Sequence, residues 1–264
     1  MTSSITTKLI NIEDLTQLRR CSGPIFAMTQ LQGDDKQRYV ADLFARISRR
    51  YDLMNTVMTG GLHHLWKRQT AKLTASGLSG VGLDVATGTG DLALALARQP
   101  GIQHAIGVDL LPEMLSLAKV KASRQRRSVS LAAGDALCLP FADNTFACAT
   151  AGFSLRNMPD LPQALSEMVR VVRPGGRVTT LELTPMEQGI KSAFFRLYFH
   201  RLVPLLGQLI AGDRTAYTYL PQSVDYFLQV DRLSDLYRRV GLADVGYIHL
   251  ALGTVAIHYG IKPT

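Results

Sequence analysis

Three carboxylates carry the most chemistry in this chain. Asp84 closes the apolar run Leu83-Asp84-Val85-Ala86, directly ahead of Thr87-Gly88-Thr89-Gly90-Asp91. Asp109 ends the next apolar run, 19 residues beyond Gly90. Asp135 sits in Gly134-Asp135-Ala136, after the third. Glycines between a strand and a helix let the backbone bend sharply and let a ligand approach it, and the helix start attracts negative charge. Gly88-x-Gly90-x-x-Ala93 loosely fits a dinucleotide fingerprint. Asp84 argues against a dinucleotide, because a carboxylate before the glycines repels a pyrophosphate and attracts a cation such as an amino acid ammonium. An ordinary tight strand-to-helix turn is the plain alternative. Asp109 suits a pair of ribose hydroxyls under either nucleotide reading. Asp135 suits an adenine amino group or, taken alone, a solvated loop. Three acids at successive strand ends weigh more together, since open α/β sheets bind ligands outside their carboxyl ends.

The elements that must position these acids follow from periodicity. Val40, Leu43, Phe44 and Ile47 give helical spacing over residues 37–48, and a second amphipathic helix covers 63–75. Strands are expected at Val81–Ala86, His104–Val108, Val129–Ala132, Thr145–Gly152 and Arg177–Leu183. Helices are expected at Asp91–Arg98, Pro112–Ser123 and Leu161–Val172, the last closed by the turn Pro174-Gly175-Gly176. The alternation predicts a mostly parallel sheet covered by helices on both faces. Val245–Leu250 and Thr254–Tyr259 flank a short glycine-containing turn, which predicts an antiparallel hairpin at the end. The fold class is α/β.

Composition sets the bounds. The 264 residues are 47% hydrophobic and 19% charged, enough for a buried core. The net charge of +8 favours anionic partners but says nothing of fold. Cys21, Cys138 and Cys148 are far apart with no Cys-x-x-Cys, so neither a disulfide framework nor a structural zinc is expected. No uncharged apolar stretch is long enough to span a membrane, and no secretory signal pattern is present; a cytoplasmic protein is expected. Residues 1–27 hold three basic against two acidic residues, so the basicity is not a tail effect. Residues 1–36 read as a poorly ordered extension, with Met28 as an alternative start, and 37–264 as one domain.

With those residues in view, the chain resembles the class I S-adenosylmethionine-dependent methyltransferases over about residues 80–185. The resemblance is carried by Asp84-x-Ala86-x-Gly88-x-Gly90, Asp109, Gly134-Asp135-Ala136, Leu139-Pro140-Phe141-x-Asp143-x-x-Phe146 and Arg173-Pro174-Gly175-Gly176. It implies a Rossmann-like seven-stranded sheet with a C-terminal antiparallel hairpin. Further elements are Arg50-Tyr51-Asp52-Leu53-Met54-Asn55, Leu62-His63-x-Leu65-Trp66-Lys67 and Gly152-Phe153-Ser154-Leu155-Arg156-Asn157. Ala216-Tyr217-x-Tyr219-Leu220-Pro221-x-Ser223 and Gly253-x-Val255-Ala256-x-His258-x-Gly260 follow. Together they are similar to the ubiquinone/menaquinone biosynthesis C-methyltransferase family over about 37–262.

That resemblance implies methylation of a ring carbon of a polyprenyl quinol, with S-adenosylmethionine as cofactor. Demethylmenaquinol is the expected substrate, the equivalent benzoquinol the alternative, and a nicotinamide-dependent oxidoreductase or a non-enzymatic binding module the more distant ones. Asp84 is expected at the ammonium, Asp109 at the ribose, and Asp135 with Ala136 at the adenine. Gly88, Thr89 and Gly90 would line the turn, and Gly152 the methionine portion. Arg156 would stabilise the phenolate that makes the ring carbon nucleophilic, since arginine is too basic to be an ordinary proton acceptor; a structural ion pair is the plainer role. Asn157 would fix the ring, and Tyr51 with Asp52 would close over the cofactor or simply pack at a helix end.

A helical insertion over about 188–222 includes the strongly apolar stretch 191–210, interrupted by Arg196, His200, Arg201 and Pro204. It could receive an isoprenoid tail and touch the inner face of the membrane; a core helix pair or a homodimer contact is equally open. No metal site is expected. His63 and His64 are adjacent, hence about 100° apart on a helix, and a surface or capping role is expected for them. Lys119, Lys121, Arg124, Arg126 and Arg127 lack interleaved aromatics and read as a solvated helix end rather than a nucleic-acid surface.

Overall fold

The structure, a computed structural model, describes residues 33–125, 128–185, 197–211 and 214–264. The expectations for residues 1–32, Met28 among them, for Arg126 and Arg127, and for the insertion over 188–196, Arg196 included, fall outside it. Seven strands form one sheet: β1 (Gly80–Val85), β2 (Ile102–Asp109), β3 (Val129–Ala133), β4 (Phe146–Gly152), β5 (Val172–Leu183), β6 (Ala243–Leu250) and β7 (Val255–Ile261). Their spatial order is β3-β2-β1-β4-β5-β7-β6. The first five pair in parallel, whereas β7 runs antiparallel between β5 and β6. The order reverses between β1 and β4, where a crevice opens beyond the carboxyl ends of the strands.

The helices are α1 (Gly33–Thr59), α2 (Leu62–Ala75), α3 (Asp91–Leu96), α4 (Pro112–Gln125) and α5 (Leu161–Val171), followed by α6 (Val203–Leu206), α7 (Arg214–Asp225) and α8 (Val230–Arg239). Two π-helical turns, Tyr198–Leu202 and Gly207–Ala211, flank α6. α1 begins four residues before the expected start at Gln37 and runs eleven past the expected end at Ser48. Its apolar spacing continues through Tyr51, Met54 and Met58 with no proline to stop it. Tyr51 and Asp52 therefore lie inside a long helix rather than at its end.

Pro174-Gly175-Gly176 does not separate two elements. Val172 already pairs with Phe146, and the ladder resumes at Arg177 opposite Cys148. The residues between bulge out of the strand, with Gly175 at φ +74°, which glycine adopts without steric cost. α8 has no counterpart among the expected elements; it buries Leu233, Leu236 and Tyr237, and the Tyr237 hydroxyl donates to Thr180 Oγ1 at 2.7 Å.

Leu83 and Val85 of β1, Ala149 and Ala151 of β4, and Leu165 and Met168 of α5 join the largest core cluster. Each fully buried Leu or Met there contributes roughly 1.5–3 kcal/mol of transfer free energy. A second cluster joins Leu43, Ile47 and Met54 of α1 to Phe199, Val203, Tyr217 and Tyr219. α1 and the described part of the insertion, 197–211 and 214–222, thus form one cap over the carboxyl edge of the sheet.

Candidate active site

The strand ends deliver the acids as the sequence requires, but to different depths. Asp109 caps β2 and is 8% exposed. Its Oδ2 accepts from the Gly88 N–H at 2.7 Å and its Oδ1 from the Leu111 N–H at 2.9 Å. Burial pushes its carboxyl above the ordinary range against the pull of these backbone donors. The carboxylate keeps acceptor capacity for a ligand hydroxyl. Asp135 accepts from the Leu137 N–H at 2.9 Å and from Gln37 Nε2 of α1 at 2.7 Å.

Asp84 lies beneath the turn, 1% exposed. Its Oδ2 accepts from the Thr87 hydroxyl at 2.6 Å, while its Oδ1 is buried with no hydrogen-bond partner among the described residues. Burial raises its carboxyl to about 7, opposed by the Thr87 hydrogen bond.

A cleft enclosing about 840 Å³, partly open to solvent, unites much of the expected set. Tyr51, Gly88, Asp109, Asp135, Ala136, Gly152 and Asn157 all line it. Asp84, Thr89, Gly90 and Arg156 do not. Gly90 starts α3 at φ +82°, and a Cβ there would come within 3.0 Å of the Ala118 Cβ. Thr89 donates to Asp52 Oδ1 at 2.7 Å and accepts from Lys121 Nζ at 2.8 Å.

Lys121 is therefore not the solvated residue expected of a basic helix end. It pairs with Asp52 and Asp91, each at 2.6 Å, and Lys67 reaches Asp91 at 2.9 Å. These four charges tie α1, α2, α3 and α4 around the glycine turn. Burial raises the Asp91 carboxyl, but Lys67 and Lys121 outweigh it and hold the group far below the ordinary range. Burial likewise lowers Lys67, and the Asp91 charge reverses the sign to leave it raised.

A second, more apolar hollow of about 730 Å³ adjoins the first and shares Phe44, Tyr51 and Phe153 with it. α7 supplies Tyr217, Tyr219 and Leu220, and α2 supplies His63 and Trp66. Phe153 stands between the hollows at φ +59°, and Ala86 in the cleft wall is at φ +51°. Such non-glycine conformations cost roughly 1–3 kcal/mol and cluster at functional sites; the Phe153 N–H bond to Leu181 O at 2.7 Å holds the first in place.

Arg156 lines the second hollow rather than the cleft. Its Nη1 donates to Glu182 Oε1 at 2.5 Å and to Phe153 O at 2.7 Å, and its Nε donates to Ser223 at 3.2 Å. Asn157 bridges the hollows: it lines the cleft, and its Oδ1 accepts from the Tyr219 hydroxyl at 3.2 Å. Burial pushes the Tyr219 hydroxyl up to about 12.

His63 corrects the expectation of a surface role, being 1% exposed in the wall of the second hollow. Ligand atoms of His63, His64 and Asp91 lie within 4.8 Å of one another. Both Asp91 oxygens are engaged by lysines, so the cluster offers a cation two ammonium groups rather than a free carboxylate. The cap residues Gln37, Val40 and Phe44 also line the cleft; helical spacing marked Val40 and Phe44 as apolar-face residues but could not say what that face covers.

Comparison with known proteins agrees with this architecture. The ubiE/COQ5 methyltransferase family model matches residues 31–262. This chain belongs to that family. It is 41% identical over 240 residues to a demethylmenaquinone methyltransferase of Desulfitobacterium hafniense, covering 89% of this chain and 94% of the relative. A ubiquinone/menaquinone biosynthesis C-methyltransferase of Desulfotalea psychrophila is 41% identical, with 84% and 90% coverage. Among solved structures, an S-adenosylmethionine-dependent methyltransferase from Thermotoga maritima superposes with a TM-score of 0.58 at 20% identity, covering 84% of this chain and 99% of that one. At that identity the likeness concerns the fold alone. The family is one of methyltransferases, so the nicotinamide oxidoreductase and the non-enzymatic binding module are set aside.

Proposed function

We propose that this protein methylates a ring carbon of a polyprenyl quinol, with demethylmenaquinol as substrate and S-adenosylmethionine as methyl donor. The observation that carries the reading is the junction of two hollows. An acid-rimmed cleft at the strand ends shares Phe44, Tyr51 and Phe153 with an apolar hollow under the helical cap. The residues fit the donor. Asp84 keeps a buried oxygen without a partner, suited to an ammonium. Asp109 faces the cleft with acceptor capacity for ribose hydroxyls, and Asp135 with Ala136 would flank the adenine. Gly88 lies open at the turn, where no heavy atom approaches within 4 Å of a Cβ, while Gly90 and Thr89 shape the turn from behind. Gly152 would border the methionine portion. When bound, the donor supplies a sulfonium methyl that is already electrophilic.

The chain's own residues must hold the ring carbon in line with that methyl, about 3–3.5 Å away, and raise its electron density. Asn157 is placed to orient the ring at the junction. Arg156 is assigned to stabilising the negative charge that develops on the ring oxygen, with Glu182 holding its guanidinium. Tyr51 closes the cleft from α1. The demethylmenaquinone methyltransferases at about 40% identity support the naphthoquinol, and the relatives named for both quinones keep the benzoquinol as the second reading. The test is purified protein with labelled S-adenosylmethionine and a panel of short-tail quinols, with product mass measured. One added methyl on a naphthoquinol is expected. Label in no quinol would overturn the reading.

A peripheral membrane contact belongs to the same proposal, since a polyprenyl substrate resides in lipid. No described helix is long and apolar enough to cross a membrane. Leu197, Leu202, Leu205 and Leu209 are instead exposed along the cap, at 61%, 45%, 51% and 80%, beside exposed Arg201. Such a row suits an interfacial helix. Flotation with vesicles containing anionic lipid should carry the protein upward. Dimerisation in light scattering without flotation would assign the row to a homodimer contact.

A further inference from the structure

The quinol reading needs a proton acceptor, and Arg156 is both too basic and already committed to Glu182. His63 shares the second hollow with it. Its Nδ1 lies 2.9 Å from Thr59 Oγ1. A hydroxyl has one hydrogen to give, and Thr59 directs its own to Asn55 O at 2.7 Å. With its hydrogen on Asn55 O, Thr59 Oγ1 accepts from His63, and this assignment puts the ring hydrogen on Nδ1. Nε2 is left as a bare lone pair, and it is buried without a partner among the described residues. A third group fixing the tautomer of a histidine is the arrangement expected of a general base.

We propose that His63 Nε2 accepts the proton of the ring hydroxyl adjacent to the carbon that is methylated, an inference that rests on the quinol reading above. The hydroxyl proton passes to Nε2, and the oxygen's electron pair is delocalised onto the ortho carbon. That carbon bonds the methyl while the methyl–sulfur bond breaks, its electron pair remaining on the sulfur of a neutral thioether. The ring carbon then loses its own hydrogen as a proton to water, the oxygen takes back the proton from Nε2, and the aromatic ring is restored. No oxidant or reductant is required.

Burial holds the imidazole down to about 4, with Lys67 and His64 on its own helix adding to the effect, so the lone pair is present at neutral pH. Asp91 on α3 and Asp52 on α1 pull the other way. Across the hollow stand Tyr51, Arg156, Tyr217 and Tyr219. Negative charge building on the ring oxygen favours the imidazolium and opposes the burial as the proton moves.

His63→Gln keeps a polar group of similar reach but cannot take the proton. Its kcat should fall about 100-fold or more at pH 7, with S-adenosylmethionine affinity within about twofold in calorimetry. Its rate should climb about tenfold per pH unit above 7, as ionised quinol becomes available without a base, while the wild-type rate stays level. Near-wild-type kcat, or a loss parallel to the wild type at every pH, overturns the proposal. Nitrogen-15 spectra of the wild type give a readout that needs neither turnover nor a variant. Protonated Nδ1 with bare Nε2 is expected, and the opposite tautomer overturns it. A wild type that binds S-adenosylmethionine but methylates no quinol removes the substrate reading, and this inference with it; an active wild type with an equally active His63→Gln removes only this inference.

Discussion

Arg156 and Glu182 form an ion pair at 2.5 Å, with only 5% and 0% of their side chains exposed. The Glu182 carboxylate also accepts from the Leu183 N–H at 2.9 Å. Breaking one side of such a pair strands a charge in the interior. Arg156→Ala should therefore cost about 3–5 kcal/mol of stability, read as a lower urea midpoint. The double variant Arg156→Met with Glu182→Leu should lose much less. Equal losses in both would contradict a dominant charge-stranding effect. Activity of any Arg156 variant needs measuring under conditions where it is folded, so that catalysis and stability are read separately.

Asp109 should control cofactor affinity. Losing one charged acceptor for hydroxyls costs about 1.5–3 kcal/mol, so Asp109→Ala should weaken S-adenosylmethionine binding about 10- to 100-fold in calorimetry. The Gly88 N–H would also lose its partner. Unchanged affinity would count against the whole cleft.

Asp84 should couple binding to proton release. Burial raises its carboxyl to about 7, so near neutral pH the empty site holds a fraction of a proton there. An arriving ammonium favours the ionised form, and that proton must leave. The measured binding enthalpy at pH 6–7 should then depend on the ionisation enthalpy of the buffer. Asp84→Asn should abolish the dependence, and a wild type indifferent to buffer would refute the assignment.

His258 should make the fold acid-sensitive. It is 0% exposed, its Nε2 donates to Val230 O at 3.0 Å, and burial lowers it to about 4 from an ordinary 6.5. Between those values the unfolded chain binds the proton and the folded chain does not, so stability rises with pH across that window and is lost as pH falls through it. The contribution is on the order of 3 kcal/mol. His63 acts in the same direction. Asp84 acts oppositely, because its raised carboxyl holds a proton in the folded state that the unfolded state gives up between about 4 and 7. His258→Phe should flatten the stability–pH curve between pH 4 and 6.5 in denaturant titrations. An unaltered slope would contradict this account.

The sheet and its acids were legible in the sequence because their signals are local. A buried parallel strand reads as a short apolar run, a glycine turn shows in two or three residues, and a carboxylate following such a run must fall at the strand's carboxyl end. Five parallel strands, the closing hairpin and the positions of Asp84, Asp109 and Asp135 follow from that alone. The length of α1 was missed where the expected helix stopped at Ser48, although Tyr51, Met54 and Met58 continue the same periodicity.

What the chain order could not express is which distant groups meet. His63 and His64 are neighbours in sequence, yet only the packing of α2 against the cap buries one and leaves the other exposed. Arg156 finds Glu182 26 residues away, and Lys121 finds Asp52 across 69 residues. Pairings of that kind arise from the cost of leaving a polar group without a partner once water is excluded. Local periodicity wrote the scaffold; desolvation in the assembled interior settled which charges pair.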